Sequence, residues 1–198
     1  MQAIPILFQT GYLTIKAKNR FGQYLLDYPN AEVKESMLEY MISDLRHEQE
    51  LLTTPMVIQL YDAFRTNDLE QVIKLIKSIF KNIPSQIFLS KAEAYYHSLI
   101  YLVFFYLGQY TQSEVNTNNS RLGRCSCDEK IYSVVQSPTH IYILEFKLDE
   151  SAAVALAQIK ERGYADKYAA DARPKVLIGI NFSSQAKTVD EWVKEVVT

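Results

Sequence analysis

Ile141-Tyr142-Ile143-Leu144-Glu145-Phe146-Lys147 is a run of β-formers that turns charged near its end. Side chains alternate across a strand, so Ile141, Ile143, Glu145 and Lys147 share one face and Tyr142, Leu144 and Phe146 the other. Both faces are apolar until the last positions, where one gains a carboxylate and an ammonium. Buried charges must be paired, ligate a metal or reach water, because an isolated one is very costly. Two readings follow. The plain one is a Glu–Lys pair closing a strand. The sharper one is an E-x-K active-site strand, with Glu145 on a divalent cation and Lys147 facing a scissile phosphate.

The rest of the composition narrows the class. At 198 residues the chain can bury a substantial core, and 48% apolar residues with few Gly and Pro exclude a disordered or fibrous chain. The net charge is −2, and from Glu114 onward eleven Lys and Arg face twelve Asp and Glu. Any nucleic-acid contact therefore comes from a local patch rather than a basic domain. The start, Met1-Gln2-Ala3-Ile4-Pro5, lacks the basic and apolar regions of a signal peptide, and Leu99–Leu107 is too short to span a bilayer. Cys125 and Cys127 are too close for an easy disulfide and too few for structural zinc. The expected compartment is a reducing cytoplasm, with no membrane contact. No G-x-x-x-x-G-K-[ST] occurs, which excludes a P-loop.

Working outward, residues 4–28 read as a hairpin, with β-rich Ile4–Phe8 and Tyr12–Lys16, a turn at Asn19–Gly22, and Gln23–Asp27 returning. Glu32–Leu52 carries Val33, Met37, Leu38, Met41 and Leu45 at helical spacing. Met56–Phe64 and Leu69–Phe80 are two more amphipathic helices, the second capped by Asn67 or Asp68. Asn82–Ser85 marks a boundary, so residues 1–82 form a hairpin-and-helix accessory region and 83–198 a core. In that core Ser90 caps a helix over Lys91–Leu107, followed by strands at Glu114–Asn118, Lys130–Gln136 and Thr139–Lys147. A helix over Ala152–Arg162, capped by Ser151, leads to a strand at Lys175–Asn181 and a short helix at Asp190–Val197. This order predicts an α/β fold, a mixed central sheet flanked by helices.

The αβββαβ order with Glu145-x-Lys147 ending the third strand resembles the restriction-endonuclease-like PD-(D/E)XK nuclease superfamily. It resembles most closely the branch found C-terminal to AAA-ATPase-like domains in bacterial, notably Bacteroidetes-type, proteins. Carrying residues are Phe8–Lys16, Glu93-Ala-Tyr-Tyr-His97, Ser113–Thr117, His140–Leu148, Ala157-Gln-Ile159 with Tyr164 and Tyr168, and Ile180–Ser183. The resemblance implies a metal-dependent nuclease acting on DNA, ahead of RNA, with Mg²⁺ or Mn²⁺ weakly held. It implies metal ligation by Glu145, the Phe146 carbonyl, Asp128 and, through water, Glu93. Catalytic roles fall to Lys147 and Glu145, with Gln158 and Tyr164 near the phosphate backbone. His97 shares the helical face of Glu93 and reads as a packing residue or a ligand.

One departure bears on activity. The branch pattern places an aspartate thirteen residues ahead of the E-x-K glutamate, and that position is Tyr132. A phenol with a pKa near 10 is a poor Mg²⁺ ligand at neutral pH. Gly123-Arg124 is followed by Cys125-Ser126, and Asp128 is the aspartate within reach if the segment loops out. The alternative function, from a different class, is a catalytically inactive nuclease-fold module that binds or regulates a partner ATPase. A helical-plus-sheet interaction domain with an accidental E-x-K is the third. A carboxylate from Asp128 or Glu114 beside Glu145 discriminates between them.

Overall fold

A computed structural model describes residues 3–46, 53–80, 88–108, 112–117 and 131–197. In chain order the elements are α1 (Ala3–Gln9), β1 (Thr14–Lys18), β2 (Tyr24–Asp27), α2 (Ala31–Arg46), α3 (Thr53–Arg65), α4 (Leu69–Ile79) and α5 (Phe88–Leu107). Then follow β3 (Gln112–Thr117), β4 (Ile131–Gln136), β5 (Ile141–Leu148), α6 (Ala152–Glu161), β6 (Lys175–Ser183) and β7 (Thr188–Val197). The five strands β3 to β7 make one sheet in sequence order, antiparallel except where β5 and β6 run parallel. Helix α6 supplies the crossover that a parallel pair requires. This is the expected mixed sheet flanked by helices.

The alternation along β5 sorts its neighbours. Tyr142, Leu144 and Phe146 join Ile178, Ile180 and Phe182 of β6 in a large core with α2 to α5. Ile141 and Ile143 turn the other way, with Val134, Leu177, Ile159 and Tyr168, under α6 and the turn after it. Leu38 and Ile42 of α2 belong to the same core as Phe182 of β6. Aromatic rings knit it together: Phe182 contacts Phe80 at 4.7 Å and Tyr96 at 5.2 Å between centroids. Tyr142, 0% exposed, donates its hydroxyl hydrogen to the Phe64 carbonyl at 2.9 Å, tying the end of α3 to the sheet.

Two helix caps and one arginine clasp fix the ends of these elements. Asp68 caps α4 by accepting from the Gln71 amide, and Ser151 caps α6 by accepting from Val154. Arg173 pairs with Asp171 at 2.6 Å and also donates to the Ser137 carbonyl at 2.7 Å and to Gln136 at 2.9 Å. It thereby clasps the β4–β5 turn to the start of β6. The Arg173 guanidinium holds the Asp171 carboxyl well below the usual carboxylate range.

Three element expectations are corrected. Ala3–Gln9 is a helix rather than a strand. A short apolar run does not by itself separate the two forms, and Pro5 sits in the first turn, where its missing N–H costs nothing. Asp190–Val197 is part of strand β7, because Val189, Trp192, Val193, Val196 and Val197 pair along β6 through a bulge at Asn181/Phe182. Helix α5 begins at Phe88, so Ser90 lies inside it rather than capping it. On α2 the buried apolar residues are Leu38 and Ile42, whereas Met41 is 39% exposed. The hairpin turn at Asn19–Gly22 stands as expected, Asn19 accepting from the Phe21 and Gln23 amides.

Candidate active site

Strand register sets out the site. Directly opposite residues share a face, and the row through Glu145 reads Asn116, Tyr132, Glu145, Gly179, Val193 from β3 to β7. Gly179 leaves a gap in that row, and α6 fills it. A Cβ there would lie 2.1 Å from the Ala152 carbonyl oxygen and 2.7 Å from the Leu156 amide nitrogen. The helix therefore rests on bare strand backbone, which brings Gln158 down onto Glu145. The Gln158 amide donates to Glu145 Oε1 at 2.7 Å, with Glu145 0% and Gln158 8% exposed.

Tyr164 completes the enclosure. Gly163, at φ +62°, turns the chain at the end of α6. The Tyr164 ring then lies flat on Tyr132, with centroids 3.9 Å apart and planes 13° from parallel. Glu145 is thus flanked by a tyrosine stack on the β4 side, by Gly179 and α6 on the other, and bonded by Gln158 from above. Of the four residues expected to act together, Glu145, Gln158 and Tyr164 converge on one row.

Lys147 lies one row further, opposite Asn181. Its side chain is 14% exposed, and its Nζ stands 3.4 Å from Glu150 Oε1. Asn181 accepts from the Glu150 amide at 3.0 Å and donates to Asp190 at 2.9 Å. Glu191 accepts from the Ala152 amide at 2.9 Å, at the N-terminus of α6, where a carboxylate is favoured. Sequence reasoning missed Gly179, Glu150 and Glu191. The first is legible only once α6 is known to cross β6, and Glu191 was hidden by reading its strand as a helix.

The remaining expected ligands stand apart. Phe146 belongs to the opposite face, its ring 5.9 Å from Phe182 and 5.8 Å from Phe104, so only its backbone carbonyl is available to an ion. Helix α5, which carries Glu93, packs on that same opposite face. The side chains of Glu93 and His97, and the whole of Asp128, lie outside the described residues. Glu114 pairs with Val134, one row from Glu145, and the β3 residue in the row of Glu145 is Asn116.

A Mg²⁺ ion takes near-octahedral oxygen ligands, keeps several waters, and needs one or two carboxylates. Among the described residues Glu145 is the one carboxylate in its row, no three His, Cys, Asp or Glu side chains converge, and Glu145 is sealed from solvent. The described donor set does not fit the ion.

A family model described as the PD-(D/E)XK nuclease superfamily matches residues 91–192. The chain is also similar to an "Uncharacterized protein in vnfD 5'region" of Azotobacter chroococcum mcd 1, at 35% identity over 200 residues. That match covers 96% of this chain and 37% of the relative, so the chain spans little over a third of that protein's length. No solved structure matches.

Proposed function

Because this chain belongs to the PD-(D/E)XK nuclease superfamily, we propose that it is a nuclease-fold module that does not itself cleave phosphodiesters and serves a larger assembly. The observation that carries this reading is Tyr132 directly opposite Glu145 and stacked on Tyr164, at the position where the pattern of the resembled branch has an aspartate. An intact site of this kind would hold Mg²⁺ or Mn²⁺ on that aspartate, Glu145 and the Phe146 carbonyl, and the ion would supply a polarised water. Here each residue has a structural task instead. Glu145 receives the Gln158 amide and docks α6, Tyr164 covers Tyr132, and Lys147 pairs with Glu150 across the β5–α6 turn.

The partner side of the reading rests on residues 1–82. Helix α1 has no buried residue, and Ile4, Ile6, Phe8, Ile15, Phe21 and Leu25 are each more than two-fifths exposed. A helix and hairpin that expose this many large apolar side chains suit an interaction surface. We assign it to a larger polypeptide, an AAA-ATPase-like domain by the family resemblance, with nucleic acid as the assembly's substrate.

The test is cleavage of labelled DNA and RNA in Mg²⁺ and in Mn²⁺, with calorimetric metal titration, on the wild type, Glu145→Ala, Asp128→Ala and Tyr132→Asp. No cleavage and no metal heat in the wild type is the expected result. Cleavage by the wild type that disappears in Glu145→Ala would overturn the reading. Its disappearance in Asp128→Ala as well would identify Asp128 as the second ligand.

A further inference from the structure

Two features of the accessory region complement each other. The turn Asn19–Gly22 follows β1, which is exposed at every position, and carries Phe21, itself 74% exposed. The turn is held in one shape. Asn19 accepts from the Phe21 and Gln23 amides, its own side-chain amide donates to Gln23 at 2.8 Å, and Gly22 takes a φ of +80°. Arg20 lies over the Phe21 ring at 4.8 Å and, among the described residues, meets no carboxylate. The second feature is a cleft of about 380 Å³ between the α1–β1 turn and the first turns of α2. Tyr12 and Val33 line it with apolar surface, Thr10 and Ser36 with hydroxyls, and Glu32 is the one charged group among its described lining residues. Glu32 has no cationic partner among the described residues. Glu32, Ser36 and Tyr40 recur every four residues along one exposed face of α2.

From these observations we propose that the cleft receives the Asn19–Gly22 turn of a second copy of this chain, and that the second cleft receives the turn of the first. Phe21 of one copy enters beside Tyr12 and Val33 of the other, and Arg20 pairs with Glu32 of the other. Tyr24, 56% exposed with Lys18 over its ring at 5.2 Å, then lies along Tyr40, also 56% exposed. The complementarity is one of charge and of shape: a guanidinium and a carboxylate, each unpaired within its own chain, meet around an apolar knob and an apolar cleft. The turn is already rigid, so docking it costs little conformational freedom. A two-fold axis makes the contact twice and closes the pair, where a single contact repeated head to tail would grow a filament. Each contact is small, so the dimer is a weak one that forms as concentration rises. Of the exposed set described above, this commits Phe21 to a second copy of the chain and leaves Ile4, Ile6 and Phe8 of α1 to the larger polypeptide.

The experiment is sedimentation velocity on the full chain, from dilute to concentrated solution, in EDTA. The wild type should pass from monomer to dimer and go no further. Arg20→Glu and Glu32→Arg each set like charges against one another at both contacts, and each should weaken self-association about tenfold or more. Mixed in equal amounts, the two variants regain opposite charges at both contacts and should associate as the wild type does. Phe21→Ala removes the knob and should weaken association about tenfold. Val196→Ser, at an exposed position of edge strand β7, should leave it unchanged. All variants are checked by thermal melting, the altered side chains being on the surface. A wild type that stays monomeric throughout would overturn the proposal. So would a dimer unmoved by Arg20→Glu, Glu32→Arg and Phe21→Ala, a mixture that fails to recover association, or wild-type species larger than a dimer. None of these outcomes bears on cleavage or metal binding, so this proposal and the preceding one fail separately.

Discussion

Replacing Gly179 by alanine tests how the site is built. The added Cβ would meet the Ala152 carbonyl oxygen at 2.1 Å and the Leu156 amide nitrogen at 2.7 Å, where ordinary contact begins at 3.4 Å. Both obstacles are helix backbone, which cannot rotate away as a side chain can. Helix α6 must lift from the sheet by roughly 1 Å, an overpacking strain of about 1–3 kcal/mol. That displacement also takes Gln158 off Glu145, stretching a 2.7 Å bond toward the limit of hydrogen bonding. Leaving these buried partners unsatisfied adds about 1–3 kcal/mol. Gly179→Ala should therefore destabilise by roughly 3–5 kcal/mol, or about 10 °C in Tm for a chain of this size. Urea denaturation followed by circular dichroism measures it. A cycle with Gln158→Leu should show coupling of about 0.5–3 kcal/mol, since each change breaks the same bond. A Gly179→Ala protein within about 0.5 kcal/mol of wild type, or strictly additive changes, would refute the account of α6.

Other perturbations read single contacts. Tyr142→Phe removes the buried hydroxyl that donates to the Phe64 carbonyl and should cost about 1–3 kcal/mol in chemical denaturation. Ser151→Ala removes the α6 cap and should cost about 1 kcal/mol, with early exchange of the Val154 amide in hydrogen-exchange measurements. The depressed Asp171 carboxyl contributes stability that is fully present above its unfolded pKa of about 3.9 and is lost as pH falls through its lower folded value. Asp171→Asn should thus lower Tm at pH 7, and the gap to wild type should narrow steadily below about pH 4.

The heptapeptide Ile141–Lys147 was enough to place the central strand, because alternation and β-branching agree there. The order of elements around it extended that placement to the sheet. Failures fell where local signals conflict with long-range pairing. Thr188–Val197 carries charges at a spacing a helix tolerates, and only the length of β6 beside it makes it a strand. At the site, the count of thirteen residues led to Tyr132, and antiparallel register put that residue opposite Glu145. What could not be read was the helix descending onto Gly179. That contact joins residues 27 positions apart through backbone atoms that carry no sequence signal.

A metal site is a property of paired positions, and an E-x-K motif alone does not establish one. The distinction has a sign that can be measured. In a working site, the ligand carboxylates repel one another in metal-free buffer, so removing one tends to stabilise the fold at the expense of activity. In this chain Glu145 is wholly buried and receives the Gln158 amide, which anchors α6 over Gly179. Glu145→Ala would leave that amide donor without its acceptor, at about 1–3 kcal/mol, and open a cavity beneath the helix. The expected result in EDTA is destabilisation of roughly 2–4 kcal/mol, with Glu145→Gln much closer to wild type because its carbonyl can still accept. Stabilisation by Glu145→Ala would instead show a carboxylate held under repulsion for an ion, and the structural account of this strand would fall.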